Sequence, residues 1–233
     1  MREQFVIEGN HSLHGEVTVS GNKNAALKML PACLLTDEPV TLTNVPDIAD
    51  VRVTLELLRR LGCEVEELGD HRVRVHARDI ATHELDSEMC VRTRASVVFA
   101  GPMLARMGRV EFPPPGGDVI GRRRLDTHIL ALERLGTVVE FDGRFKMRTD
   151  GLRGADVLLD EASVTATENA VMAAVLARGT TILRNVASEP HVQNLCHMLN
   201  GMGAQISGIG TNCLMIEGVE RLRGGEFRVE ADY

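Results

Sequence analysis

The sequence predicts an α/β domain assembled from three copies of one unit, each ordered helix, strand, helix, hairpin. Two observations carry this reading. Three amphipathic segments share one spacing and one terminal glycine, and each sits among the same kinds of element in the same order.

In the first stripe Val51, Leu55, Leu58 and Leu61 stand before Gly62. The second places Leu125, Ile129, Leu132 and Leu135 before Gly136, and the third Val192, Cys196, Leu199 and Met202 before Gly203. Such steps line one face of a 3.6-residue helix, and the glycine suits a left-handed cap. Two β-prone runs follow each cap across a short turn: 63–65 with 71–76, 137–139 with 144–148, and 204–206 with 212–216. These pairs read as hairpins. Upstream of each stripe lie a second helix and a strand: 24–35 and 40–43, 94–106 and 109–112, 166–177 and 181–184. The caps are too far apart for solenoid repeats, so the units are expected to close into one domain with helices inside or between sheets.

Two segments fall outside the units. Residues 4–7 form an isolated apolar run, and 226–233 begin one more strand. The expected organisation is therefore a segment 1–20 belonging to a second domain, a three-repeat domain 21–225, and 226–233 as the start of that second domain.

Composition narrows the function. The 233 residues, 44% of them hydrophobic, suffice for one sizeable core or two small domains. A net charge of -7 and 3% aromatics argue against nucleic-acid binding, which uses a basic face and stacking platforms. No apolar run approaches the roughly 18 residues of a membrane helix. The start MREQFVIEGN has no signal-type apolar region. A cytoplasmic protein with no membrane partner is expected. Cys33, Cys63, Cys90, Cys196 and Cys213 form no CxxC pair and fit neither a zinc nor a disulfide framework, so reduced, mostly buried thiols are expected. His71, His76 and His83 lack the spacing of a helical metal pair and read as surface imidazoles.

Three segments can carry chemistry. Ser20-Gly21-Asn22-Lys23-Asn24 follows a predicted strand at 16–19 and opens a helix. A helix start offers unpaired N–H groups to an anion, and Lys23 adds a positive charge. A solvated lysine beside an asparagine N-cap fits the same residues. The loop PPPGGDVIGRRRLDTH, residues 113–128, has no counterpart in units one and three. Its arginines Arg122, Arg123 and Arg124 suit phosphate oxygens, and Asp118 sits on its irregular part. A basic surface turn is the plain alternative. Ser163, Val164 and Thr165 open the third unit. Their hydroxyls suit a ligand phosphate, or an N-cap with Glu168 completing a capping box; the two roles are compatible.

The segment VSGNKNAALKMLPACLLTDEPVTLTNVP (19–46), Arg94-Ala95-Ser96, the loop PGGDVIGRRRLDTH and the closing IEGVERL (216–222) together resemble the UDP-N-acetylglucosamine 1-carboxyvinyltransferase family. The resemblance runs over essentially the whole chain. It implies an enolpyruvyl-transferase-like inverse α/β barrel of three repeated units with buried helices, closed over its substrates by a second domain of the same design. It implies transfer of the enolpyruvyl group of phosphoenolpyruvate to the 3-hydroxyl of UDP-N-acetylglucosamine, the first committed step of peptidoglycan synthesis. The reaction proceeds by addition and elimination of phosphate, without metal or organic cofactor.

By motif, Lys23 and Asn24 match residues that meet phosphoenolpyruvate and the sugar, and Arg94 and Arg123 match ligand-binding arginines. Arg124, Leu125, Asp126 and Thr127 match the uridine segment, Ser163, Val164 and Thr165 the diphosphate-facing segment, and Asp118 the proton donor. Three departures stand out: Asp118 where most members carry Cys, Arg124-Leu125 where Pro-Val is usual, and Glu161 where a ligand-binding Lys is common. The resemblance also implies that these residues are the first half of such an enzyme and inactive alone. A shikimate-type enolpyruvyl transferase and a non-catalytic UDP-sugar-binding fragment are the alternatives.

Overall fold

The computed structural model describes residues 4–117 and 124–233. The first unit comprises α1 (Lys23–Ala32, continued by a 3-10 turn Cys33–Leu35), β1 (Val40–Thr43), α2 (Ala49–Arg60), β2 (Glu64–Gly69) and β3 (Arg72–His76). The second contains the single turn α3 (Ser87–Cys90), a 3-10 segment Arg94–Phe99 running into α4 (Ala100–Met107), β4 (Arg109–Phe112), α5 (Asp126–Arg134), β5 (Val138–Phe141) and β6 (Phe145–Arg148). The third contains β7 (Asp156–Leu158), α6 (Val164–Ala174), β8 (Thr180–Arg184), α7 (Pro190–Gly201), β9 (Gln205–Ser207) and β10 (Cys213–Glu217), and β11 (Gly225–Arg228) follows it.

The predicted units are present, and the glycine that ends each stripe does the expected work. Gly62, Gly136 and Gly203 have φ of 97°, 95° and 106°. The following N–H returns to the carbonyl of the third stripe residue: Cys63 to Leu58 at 3.0 Å, Thr137 to Leu132 at 3.1 Å, Ala204 to Leu199 at 2.9 Å. This is the paired-bond helix ending that a left-handed glycine permits. It sends the chain directly into the hairpin. Each hairpin then pairs antiparallel with the strand that precedes its unit's outer helix, in the orders β1-β3-β2, β4-β6-β5 and β8-β10-β9.

Helices α1 and α6 are buried on every side from Ala25 to Ala32 and from Ala166 to Ala174. In contrast α2, α5 and α7 each keep an exposed face. The apolar inner helices thus form the centre, and the stripes of the outer helices pack onto it. The sheets remain three separate sheets among the described residues. The inverse α/β arrangement holds, but the expected barrel does not close, because β2, β5 and β9 end their sheets without a partner from the next unit.

Of the strands outside the repeated order, β7 was not foreseen, whereas the strand expected from 226 is present as β11. β7 runs parallel to β8, and β11 runs parallel to β1, pairing Val40 with Gly225 through Thr43 with Arg228. Among the described residues the second unit has only a parallel bridge from Glu84 to Glu111 in this place. Asn44 and Asn185 adopt φ of 58° and 59° just after the central strands. Each donates its side-chain amide, at 2.9 Å, to the carbonyl that follows the added strand, Val229 and Leu159. Asparagine tolerates that left-handed backbone better than most residues. Pro113 occupies the equivalent place in unit two, where the chain leaves for the long loop instead.

The boundary expected at 225/226 therefore cuts through a strand of the first sheet. The backbone of β11 satisfies the free edge of β1. The tie continues to the end of the chain: Asp232 N–H donates to Ser20 O at 2.9 Å, and Asn22 Nδ2 to Asp232 Oδ1 at 2.7 Å. Residues 4–20 are exposed throughout, and 16–19 form no strand. Phe5, Val6, Ile7, Leu13 and Val17 all lie open to solvent.

Candidate active site

The ends of α1 and α6 and the 3-10 segment at Arg94 meet around one cleft of about 270 Å³. Lys23, Asn24, Lys28 and Asp50 form one wall, Arg92, Thr93, Arg94 and Gly117 another, and Thr165 a third. The helix starts are built by short polar caps. Asn22 Oδ1 accepts from Ala25 N–H at 2.9 Å, so Asn22 is the N-cap and Asn24 is left exposed. Ser163 caps α6, accepting from Ala166 N–H at 3.4 Å. With the cap at Ser163, Glu168 lies too far along the helix to complete the predicted capping box. It is buried and faces Lys28 instead, at 3.5 Å.

One exposed cation of the cleft is already matched: Lys23 forms an ion pair with Asp50. Deeper in, burial pushes the Glu168 carboxyl up to about 7, against the pull of Lys28. His128 lies behind the α6 wall, with Nε2 at 3.0 Å from Thr165 Oγ1. Burial first, and Arg94 second, hold its imidazole down at about 3.

The loop root is anchored beside the cleft. Gly116 N–H donates to Cys90 O at 3.0 Å and Gly117 N–H to Val91 O at 3.3 Å. A Cβ on Gly116 would stand 1.8 Å from the Val91 carbonyl oxygen, which accounts for a glycine there. Gly117 has φ of 91° and packs against Arg94. The loop thus leaves the body of the domain at the mouth of the cleft. Asp118 and Arg123 lie outside the described residues.

The remaining predicted residues are distributed less tightly. Lys23, Asn24, Arg94 and Thr165 line the cleft; Arg124, Leu125, Asp126, Thr127, Ser163 and Val164 do not. Arg124 and Asp126 form an ion pair at 2.5 Å, and Arg94 reaches the Arg124 carbonyl at 3.4 Å. The Thr127 hydroxyl is taken up by Asp160 at 2.6 Å. Sequence reasoning missed Lys28, Asp50, Arg92 and His128. For Lys28 a signal existed: it is the charged residue inside an otherwise apolar inner helix, and α6 carries Glu168 in the same situation.

The family described as EPSP synthase (3-phosphoshikimate 1-carboxyvinyltransferase) matches residues 7–233. The chain belongs to the EPSP synthase family. Within that family it is similar to UDP-N-acetylglucosamine 1-carboxyvinyltransferases: 54% identical over 230 residues to that of Bradyrhizobium diazoefficiens and 55% over 229 residues to that of Treponema pallidum. These alignments cover 99% and 98% of the chain but 53% and 54% of the relatives, so the chain spans about half the length of the curated relatives it matches. Among solved structures, the enolpyruvyl transferase NikO from Streptomyces tendae superposes with a TM-score of 0.82 at 22% identity, covering 96% of this chain and 53% of that one. EPSP synthase from Acinetobacter baumannii gives 0.75 at 20%, covering 96% and 51%. The three-unit fold is thus shared with these enolpyruvyl transferases over 96% of this chain, and the cleft described above opens on its surface. Among the described residues no helix is long and apolar enough to cross a membrane.

Proposed function

We propose that this chain supplies half of the active site of an enzyme that transfers the enolpyruvyl group of phosphoenolpyruvate to the 3-hydroxyl of UDP-N-acetylglucosamine. The step would serve peptidoglycan synthesis in the cytoplasm. The observation that carries this reading is the convergence, in one cleft, of the starts of two buried helices with Lys23, Arg92 and Arg94. Unpaired N–H groups at helix starts and fixed cations hold anions without reorganisation. Both substrates are anionic.

Lys23 and Asn24 are assigned to phosphoenolpyruvate and the sugar, Arg94 and Arg123 to ligand anions. The helix start at Ser163, Val164 and Thr165 takes the diphosphate, and Arg124, Leu125, Asp126 and Thr127 take the uridine. Asp118 is assigned as the proton donor to the methylene carbon. A free aspartic acid, with a pKa of about 3.9, is a base at neutral pH. It donates only when desolvation and a nearby anion raise that value, so protonation is assigned to the closed complex holding bound phosphate and carboxylate.

The cleft is open on one side, and catalysis of this class needs positioned charges and excluded water. A second domain is assigned to cover it, and the exposed apolar residues of 4–20 are assigned to that domain. A polypeptide of these 233 residues alone is then expected to bind the UDP-sugar weakly and to show no turnover. The 54% and 55% identities to UDP-sugar enzymes favour that acceptor over shikimate 3-phosphate. Calorimetric titration of the chain with each compound tests the choice. Binding of shikimate 3-phosphate in place of UDP-N-acetylglucosamine overturns it.

A further inference from the structure

We propose that His128 is a positioning residue that fixes the Thr165 hydroxyl as a hydrogen-bond donor to a phosphate oxygen of the nucleoside diphosphate. The inference rests on the UDP-sugar reading above, and adds to it a residue that does not itself line the cleft.

Asn169 is fully buried. Its Oδ1 accepts from the Gly101 N–H at 2.5 Å, and its Nδ2 donates to the Val97 carbonyl at 3.0 Å. Turning the amide over would set N–H against N–H and carbonyl against carbonyl at both contacts. The amide therefore has one orientation. In that orientation Nδ2 also lies 3.1 Å from His128 Nδ1, so Nδ1 presents its lone pair and the ring proton is on Nε2. Nε2–H in turn donates to Thr165 Oγ1 at 3.0 Å.

An oxygen that accepts from the imidazole cannot also donate to it. The Thr165 proton is thereby directed to another acceptor, and Thr165 is the member of this chain of bonds that lines the cleft. It stands in the first turn of α6, beside N–H groups that have no partner within the helix. A hydroxyl polarised from behind by an N–H donor is a better donor in front. Burial and Arg94 keep the ring neutral at working pH, so the same tautomer persists. Gly101 makes the arrangement possible: a Cβ there would stand 2.6 Å from Asn169 Oδ1.

The test is titration of the 233-residue protein with UDP-N-acetylglucosamine, joined to the ¹⁵N spectrum of the His128 imidazole. The Nε2–H tautomer is expected in the free protein. Thr165→Val should weaken binding about tenfold, the weight of one charge-assisted hydrogen bond, whereas Thr165→Ser should not. His128→Gln, whose amide nitrogen reaches the place of Nε2, should keep affinity. His128→Asn, which falls short of it, should lose as much as Thr165→Val, and the double variant should lose no more. A purely structural histidine would not spare His128→Gln, and the Thr165 variants leave the core untouched if a His128 variant fails to fold. An Nδ1–H tautomer, or wild-type affinity in Thr165→Val, overturns the inference and leaves the UDP-sugar reading standing. No binding of the UDP-sugar by the wild type removes both.

Discussion

The ammonium of Lys28 and the carboxylate of Glu168 meet at 3.5 Å between α1 and α6, with side chains 5% and 0% exposed. Among the described residues neither carboxylate oxygen has a hydrogen-bond partner besides this long ion pair. Because burial raises the folded Glu168 from 4.5 to about 7, the native state binds its proton more tightly than the unfolded chain. Stability contributed here is present at low pH and falls as pH rises through that window. Glu168→Gln should flatten this slope in urea titrations run across the window. At pH 8 Lys28→Met should cost about 3 kcal/mol, the usual effect of stranding one buried charge, and Lys28→Met with Glu168→Gln should recover most of it. A double variant as unstable as the single would show that packing, not charge, holds the two helices.

Gly101 is expected to be intolerant of even one methyl group. A Cβ there would stand 2.3 Å from the Asn169 carbonyl oxygen. Both partners are backbone-fixed inside the core, so neither can yield cheaply. Gly101→Ala should destabilise the domain by about 2 kcal/mol, in the range of overpacked cores. Thermal unfolding measures this, and an unchanged midpoint would mean that α4 and α6 are less closely seated than described.

Most of the architecture was legible in the sequence, because each unit is specified locally. Leu55, Leu58 and Leu61 before Gly62 encode both the buried face and the stop, and the same holds in the other two units. β7 and β11 were not legible as part of the domain. Strands of three and four residues that pair in parallel with distant partners leave no periodic signal of their own. Half of the cleft was visible for the same local reason: Lys23, Asn24 and Thr165 lie at helix starts that sequence alone marks. Asp50 reaches the site through the packing of α2 on α1, and His128 through packing between units two and three; no spacing in the chain announces either.

The ion pair between Lys23 and Asp50 competes with any anion that enters the cleft. Their side chains are 53% and 29% exposed, so the pair itself contributes little stability. Asp50→Asn should tighten UDP-N-acetylglucosamine binding about threefold, the weight of one exposed pair. Lys23→Ala should weaken it, and the double variant should behave like Lys23→Ala. The gain from Asp50→Asn should shrink as salt rises. Tighter binding in Asp50→Asn without Lys23 would place the effect on another cation of the cleft.

The thiols offer a test of the core that needs no ligand. Burial, chiefly, pushes Cys63 and Cys90 up to about 11 and Cys196 to about 12, and lifts Cys33 further still. Thiolate is the reactive form, so all four should be silent toward an aromatic disulfide reagent in the native protein at pH 8. Cys213, at the start of β10, is only partly buried and should react first. The expected trace is one fast thiol followed by four that appear at a common rate, set by unfolding of the domain. Cys33 caps the inner helix α1 in unit one, and Cys196 lies on α7 in unit three. Release of one well before the other would mean that the units open separately and that the bond between β1 and β11 does not hold them as one cooperative body.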